Sequence, residues 1–302
     1  MGLAADSTRV FSTSKTIQNP VLNALGVQIF RTLVARAIYS ARRSPSAGRD
    51  DDAAHVIRAE GVVAIPQFLE QETFARIVME AEDLISRGEG KLHQHGGTRL
   101  SLYDLRDLHP AEFPELAAWC ENERCVRLVE AVEKRQLASR DGLRVLERVV
   151  YEDDTIADPE TELRVDTFFN THKVWLYLDD VCVENGPLTY VPGSHRLSSA
   201  RLGRDYSESR TRHGGSRRIA EVEVARRGLS RRKITVPANT LVVANTHGYH
   251  CRAQGHRGRV RRALHMSFRF NPFMPRSLRV DDRLKSRDSV FARAVRSARE
   301  PT

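Results

Sequence analysis

The sequence predicts a mainly β protein with flanking α-helices, its core a closed or sandwiched set of short strands. Two observations carry this. From residue 143 onward, short apolar and β-branched runs follow one another, separated by Gly, Pro, Asn and Asp turns. The first half instead holds segments with apolar residues at helical spacing, and helices followed by many strands suit a β core with helices packed outside it. The 302 residues, 40% hydrophobic and 7% aromatic, can build one sizeable core.

Taken in order, residues 1–18 read as a tail and 20–42 as an amphipathic helix, with Leu22, Leu25, Ile29 and Leu33 recurring every three or four residues. Docking of this helix on the domain is the simple reading; a basic helix lying on a membrane is the alternative. The stretch RRSPSAGRDDD reads as a linker by its Pro, Gly, Ser and charge content, closing an N-terminal unit over 1–52. A main domain is expected over 53–275 and a basic tail over 276–302. Within the domain, EGVVAI gives a strand, a helix runs from about Gln71 to near Gly88, and a second runs from Pro114 to about Arg135. HQHGG (93–97) reads as a polar loop. The expected strands are LRVLERVVYE, TELRVDTFF, HKVWLYLDDV, PLTYVPGS, AEVEVA, KITVPA, TLVVAN and RVRRALHMSFRF.

Composition narrows the partners. A net charge of +9 and a pI near 9.7 favour anionic ones, yet no nucleic-acid motif or aromatic stacking pattern is present. Cys120, Cys125, Cys182 and Cys251 show no paired spacing, which points to a reducing, cytoplasmic setting. The longest apolar segment is interrupted by Gln28, Arg31 and Arg36 and is too charged to span a bilayer, leaving peripheral contact through 20–42 as the membrane alternative.

Chemistry gathers in the strands. The run TLVVAN leads into a loop with His247 and His250, and the next basic strand carries Arg259, Arg261 and Arg262. A strand-end histidine beside an arginine can hold a metal and, next to it, a carboxylate gripped by the guanidinium fork. Upstream, the segment LRVDTFFNTHKVWLYLDDVCVENGPLTYVPGSHR combines an aspartate, an Asn-Gly-Pro-Leu turn and Pro-Gly-Ser-His.

The segment KVWLYLDDVCVENGPLTYVPGSHR resembles the phytanoyl-CoA dioxygenase family of Fe(II)/2-oxoglutarate oxygenases. EGVVAIPQFLEQETFARI and GYHCRAQGHRGRVR resemble that family's first strand and helix and its distal-histidine segment, so the likeness covers roughly 58–273. The resemblance implies a double-stranded β-helix (jelly-roll, cupin-like) core, Fe(II) and 2-oxoglutarate as cofactors, and hydroxylation of a small molecule. It assigns Asp166 and His250 to the metal, with His247 the competing choice, and Arg261 to the distal carboxylate of 2-oxoglutarate.

One position departs from the pattern: the first metal histidine falls on Arg164. Residues 164 and 166 share a strand face, and a guanidinium has no lone pair for a metal. A unit charge roughly 4 to 5 Å from Fe(II) costs on the order of 7 kcal/mol at an effective dielectric of about 20. An Arg164–Asp166 ion pair in the metal's place is the economical expectation. Activity survives only if Arg164 swings out, His172 folds back from its loop or His265 enters the barrel. The expectation is therefore an oxygenase acting on an unidentified small molecule, an anionic one being in keeping with the chain's basic charge. The alternative is a catalytically silent relative without metal, binding a carboxylate or phosphate through Arg164 and Arg261 or serving as an interaction scaffold.

Overall fold

A computed structural model describes residues 15–17, 19–45, 52–88, 90–138, 141–211 and 217–273. The expected C-terminal tail, most of the 42–52 linker and residues 1–14 and 18 lie outside the described residues, whereas Thr16 and Ile17 of the expected N-terminal tail are buried against the domain. The described elements begin with α1 (Pro20–Ala24) and α2 (Val27–Ala41), broken at Gly26, whose φ of 80° suits glycine. Then follow α3 (Asp52–Glu60), β1 (Val62–Ile65), α4 (Gln71–Ser86), β2 (Lys91–His95), β3 (Thr98–Asp104), α5 (Pro114–Cys120), α6 (Glu123–Glu133) and β4 (Leu143–Tyr151). The second half contains β5 (Arg164–Val165), β6 (His172–Tyr177), β7 (Leu188–Tyr190), α7 (Ser199–Thr211), β8 (Arg217–Arg218), α8 (Glu221–Arg226), β9 (Arg232–Lys233), β10 (Thr240–Asn245), β11 (His250–Arg252) and β12 (Val260–Phe268).

The strands form two antiparallel sheets, ordered β1-β10-β6-β12-β4-β3-β2 and β8-β5-β11-β7-β9, the two walls of a double-stranded β-helix. The large sheet is apolar on both faces because both are covered. Leu146, Val174, Leu176, Leu241, Val243, Leu264, Met266 and Phe268 pack under the helices with Ile77, Leu116, Leu128 and Val132. Their neighbours of opposite parity, Trp175, Tyr177, Val242, Ala244 and Ala263, point into the barrel against Leu188, Tyr190 and Ile234 of the smaller sheet. That parity places every interior residue of the site: 173 goes with 175 and 177, and 261 and 265 go with 263.

Four expectations change. The 114–135 helix is two, because Asn122 caps a new start by accepting from Cys125 N at 3.0 Å. HQHGG is a hairpin, with His95 paired to Thr98 across a Gly96-Gly97 turn and Gly96 at φ 57°. AEVEVA is a helix: Glu221 and Glu223 sit in its first turn and Arg226 in its last, which favours helix over the alternating pattern, and only Val224 of the two exterior valines is buried. TELRVDTFF keeps strand pairing only at Arg164 and Val165, so Asp166 already stands where the chain leaves the sheet.

The N-terminal helices pack on α7, with Asn23 Nδ2 donating to Ser209 O at 2.7 Å and Tyr206 to Ala24 O at 2.8 Å. Among the described residues no helix is long and apolar enough to cross a membrane.

Candidate functional site

Asp166 is buried at the junction of the sheets, its backbone N–H donating to Thr246 O at 3.1 Å. One residue pair away, Arg164 and His250 are register partners on β5 and β11. His250 therefore faces the aspartate, its Nε2 3.5 Å from Asp166 Oδ1. The loop carrying His250 is fixed by the Pro-Gly-Ser-His segment. Ser194 Oγ accepts from Tyr249 N at 2.7 Å, and Arg201 donates to His247 O at 2.8 Å and to Ser194 O. Gly248 is required there, because a side chain would strike the Tyr190 hydroxyl.

His250 Nδ1 donates to Gly248 O at 3.0 Å, which leaves Nε2 as the lone-pair nitrogen toward Asp166. Burial lowers the His250 pKa, against the raising effect of Asp166. Neither His250 Nε2 nor Asp166 Oδ2 has an aligned hydrogen bond. His247, the competing ligand, instead turns to Thr167 O at 3.1 Å.

The strongest partner of Asp166 is one the sequence reading missed. Lys173 Nζ lies 2.7 Å from Asp166 Oδ2, an ion pair at close range although not an aligned hydrogen bond. Lys173 sits on the interior face of β6, opposite Ala244 and Ser267. Arg164 points to the same carboxylate but is drawn elsewhere: its Nη2 is 2.5 Å from Glu160 Oε2, Nη1 donates to Glu160 O at 2.9 Å, and Nε stands 3.8 Å from Asp166 Oδ1. Glu160 comes within reach through the short 3-10 turn Pro159–Thr161. Arg269 Nη2 completes the shell at 4.0 Å. Burial raises the Asp166 pKa, but the charge of Lys173, the neighbouring His250 imidazole and the charge of Arg269 outweigh it and hold the group well below the ordinary carboxylate range. The expected Arg164–Asp166 pair is thus secondary, with Lys173 the close partner.

Arg261 also meets an internal acid. Its Nη2 is 3.5 Å from Glu147 Oε1, Nη1 donates to Gly186 O of the Asn-Gly-Pro-Leu turn, and its guanidinium carbon stands 5.7 Å from the Tyr177 ring centroid. Glu147 Oε2 accepts from His265 Nδ1 at 3.1 Å, and Trp175 stacks on His265 at 5.0 Å. Burial raises the Glu147 pKa, yet the hydrogen bond and charge of His265 and the charges of Arg261 and Arg252 bring it down to about 2. His265 is thus inside the barrel but engaged with Glu147. His172, of the opposite parity, faces the helices, where Glu133 Oε1 accepts from its backbone N at 2.9 Å and lies 2.7 Å from its Nδ1.

One cavity of about 210 Å³ has His95, Glu147, Glu160, Arg164, Lys173, Trp175, Tyr177, His250, Arg252, Arg261 and His265 in its wall. That volume equals about seven waters at ~30 Å³ each. Its cations are matched by acids: Arg164 by Glu160, Lys173 by Asp166, Arg261 by Glu147 and Arg252 by Asp158. Among the described residues, no three His, Cys, Asp or Glu side chains are gathered to hold one metal ion.

The solved structures similar to this chain include the epimerase SnoN in complex with Fe3+, alpha ketoglutarate and nogalamycin RO, at 17% identity over 72% of this chain and 82% of that one, TM-score 0.50. They also include HygX from Streptomyces hygroscopicus with nickel and 2-oxoglutarate bound, at 16% identity over 73% and 87%, TM-score 0.44. AviO1 from Streptomyces viridochromogenes Tue57 is similar at 18% identity over 74% and 96%, TM-score 0.48. Among curated proteins no relative matches. The model of the phytanoyl-CoA dioxygenase family matches residues 57–226, more than half the chain, in the stretch that holds the barrel's first strand, Asp166 and the Pro-Gly-Ser-His segment. This chain belongs to the phytanoyl-CoA dioxygenase family.

Proposed function

We propose that this chain is a catalytically silent member of an iron and 2-oxoglutarate oxygenase family, its barrel retained as a small-molecule binding module. The observation that carries the reading is the shell around Asp166: Lys173 at 2.7 Å, Arg164 at 3.8 Å and Arg269 at 4.0 Å. The donor set does not fit iron. Asp166 and His250 offer a carboxylate and an imidazole, but the third position carries Arg164, which has no lone pair. A unit cation about 4 Å from a divalent ion costs on the order of 8 kcal/mol at an effective dielectric of ~20. Each ~1.4 kcal/mol is tenfold in affinity, so one such cation weakens a metal site by several orders of magnitude.

The pairing of Arg261 with Glu147 bears on the cosubstrate as well. A dicarboxylate entering beside Arg261 meets an ionised Glu147 whose pKa stands at about 2. Capture of an anion by Arg164 or Arg261 requires displacing Glu160 or Glu147. The charge-matched cavity therefore suits an uncharged polar or zwitterionic molecule better than a dianion.

One observation favours the active alternative. Asp166 Oδ2 and His250 Nε2 are buried without aligned hydrogen bonds, as two remaining ligands of a metal would be. The choice is tested by supplying Fe(II), ascorbate and 2-oxoglutarate in air and measuring succinate. Succinate at the protein-free background supports the silent reading; repeated turnover per chain overturns it.

A further inference from the structure

A helix on a globular surface normally buries its apolar stripe. The second helix, α2, does the reverse. Its inward face is Gln28, Arg31, Thr32 and Ala35, with Gln28 and Arg31 wholly buried. These polar groups are used: Gln28 Oε1 accepts from Ile17 N at 3.0 Å, Arg31 donates to Lys15 O at 3.3 Å, and its guanidinium lies 3.8 Å over the Phe168 ring. The outward face is apolar. Val21, Leu25 and Phe30 are 68%, 77% and 63% exposed, and Leu22 and Leu33 join them. Half of the large hydrophobics exposed among the described residues thus fall on α1 and α2, and such clusters mark interaction sites.

The surrounding charge is one-sided. Between Asp6 and Asp50 the sequence holds no Asp or Glu, while it carries Arg9, Lys15, Arg31, Arg36, Arg42, Arg43 and Arg49. Arg36 and Arg43 are exposed and Arg42 is half-buried at the end of α2. An apolar ridge in a basic segment matches an anionic bilayer: the side chains enter the acyl boundary and the exposed Arg36 and Arg43 meet headgroup phosphates. A second copy of the chain is the poorer occupant, since a two-fold contact sets the same arginines against one another.

We propose that Val21, Leu22, Leu25, Phe30 and Leu33, flanked by Arg36, Arg42 and Arg43, form a docking surface for an anionic lipid bilayer. This surface is independent of whether the barrel holds iron. Through Arg31 and Phe168, which follows Asp166 closely in the chain, it also sets the Asp166 end of the barrel near the bilayer.

The test uses the full chain and co-flotation with phosphatidylcholine vesicles, either pure or containing about one third phosphatidylserine. Binding is expected only to the anionic vesicles and weakens as salt is raised. Leu25→Glu with Phe30→Glu, and separately Arg36→Glu with Arg42→Glu and Arg43→Glu, each lower partitioning about tenfold or more. Phe30→Trp keeps an exposed aromatic and needs no refolding; its fluorescence shifts to the blue when anionic vesicles are added. The proposal is overturned if the wild-type chain ignores anionic vesicles, or if the Phe30→Trp emission stays unshifted. A wild-type dimer that Leu25→Glu with Phe30→Glu dissolves also overturns it, because the occupant is then a second copy.

Discussion

Lys173 Nζ lies 2.7 Å from Asp166 Oδ2 inside the barrel, one residue along β6 from a histidine that faces the opposite way. An ammonium at that distance supplies the positive charge that a buried carboxylate requires. On the proposed silent reading Asp166 is then a structural group, whose removal uncovers cations rather than emptying a ligand position.

Asp166→Ala is accordingly expected to destabilise the fold by about 3–5 kcal/mol, the usual cost of leaving a buried partner charge unpaired. Adding Lys173→Met to the same variant restores part of the loss. Urea unfolding of the two variants measures this; a first substitution without effect, or a second that makes matters worse, contradicts the assignment.

The Glu147 carboxyl gives a pH signature. Its folded pKa is depressed from 4.5 to about 2, so its contribution is present above the unfolded value and is lost as pH falls from about 4.5 through about 2. The shift corresponds to about 3 kcal/mol. Thermal unfolding followed between pH 5 and pH 2 should show this acid-side loss, and Glu147→Gln should lower stability at neutral pH while flattening the acid limb. A Glu147→Gln profile parallel to that of the wild type would show that the carboxyl does not carry it.

His172 and Glu133 form a buried pair outside the barrel, both side chains 1% exposed. Glu133→Ala is expected to cost about 2–5 kcal/mol by leaving the ring and backbone N–H donors of His172 without an acceptor. Metal affinity, whatever its value in the parent chain, should not change in His172→Ala. A drop in metal binding on that substitution would bring His172 back to the site.

The barrel strands were legible because a sheet covered on both faces writes itself as apolar runs, as in HKVWLYLDDV and TLVVAN. Asp166 and His250 were legible as candidates through motif order, and β5–β11 register then brings them face to face. Lys173 was not legible as the partner of Asp166: parity with Trp175 and Tyr177 points it inward, but strand alternation does not report which carboxylate it meets across the barrel. Glu160 was missed for a different reason: the segment around Arg164 read as continuous strand, whereas a 3-10 turn folds Glu160 back to it. The AEVEVA helix shows end charges overriding an alternating pattern. The inverted face of α2 depends on Lys15, Ile17 and Phe168 as partners of Gln28 and Arg31, and no local period reports such contacts.

The central claim is that Asp166 is held by protein cations and takes up no metal, and equilibrium Mn(II) binding tests it most directly. Anaerobic titration followed by electron paramagnetic resonance, in the presence of 2-oxoglutarate, compares the wild-type chain with Arg164→His combined with Lys173→Met. The account predicts that the wild-type chain leaves the free Mn(II) signal intact into the millimolar range while the double variant takes up metal. Stoichiometric uptake by the wild-type chain at micromolar Mn(II) would contradict it.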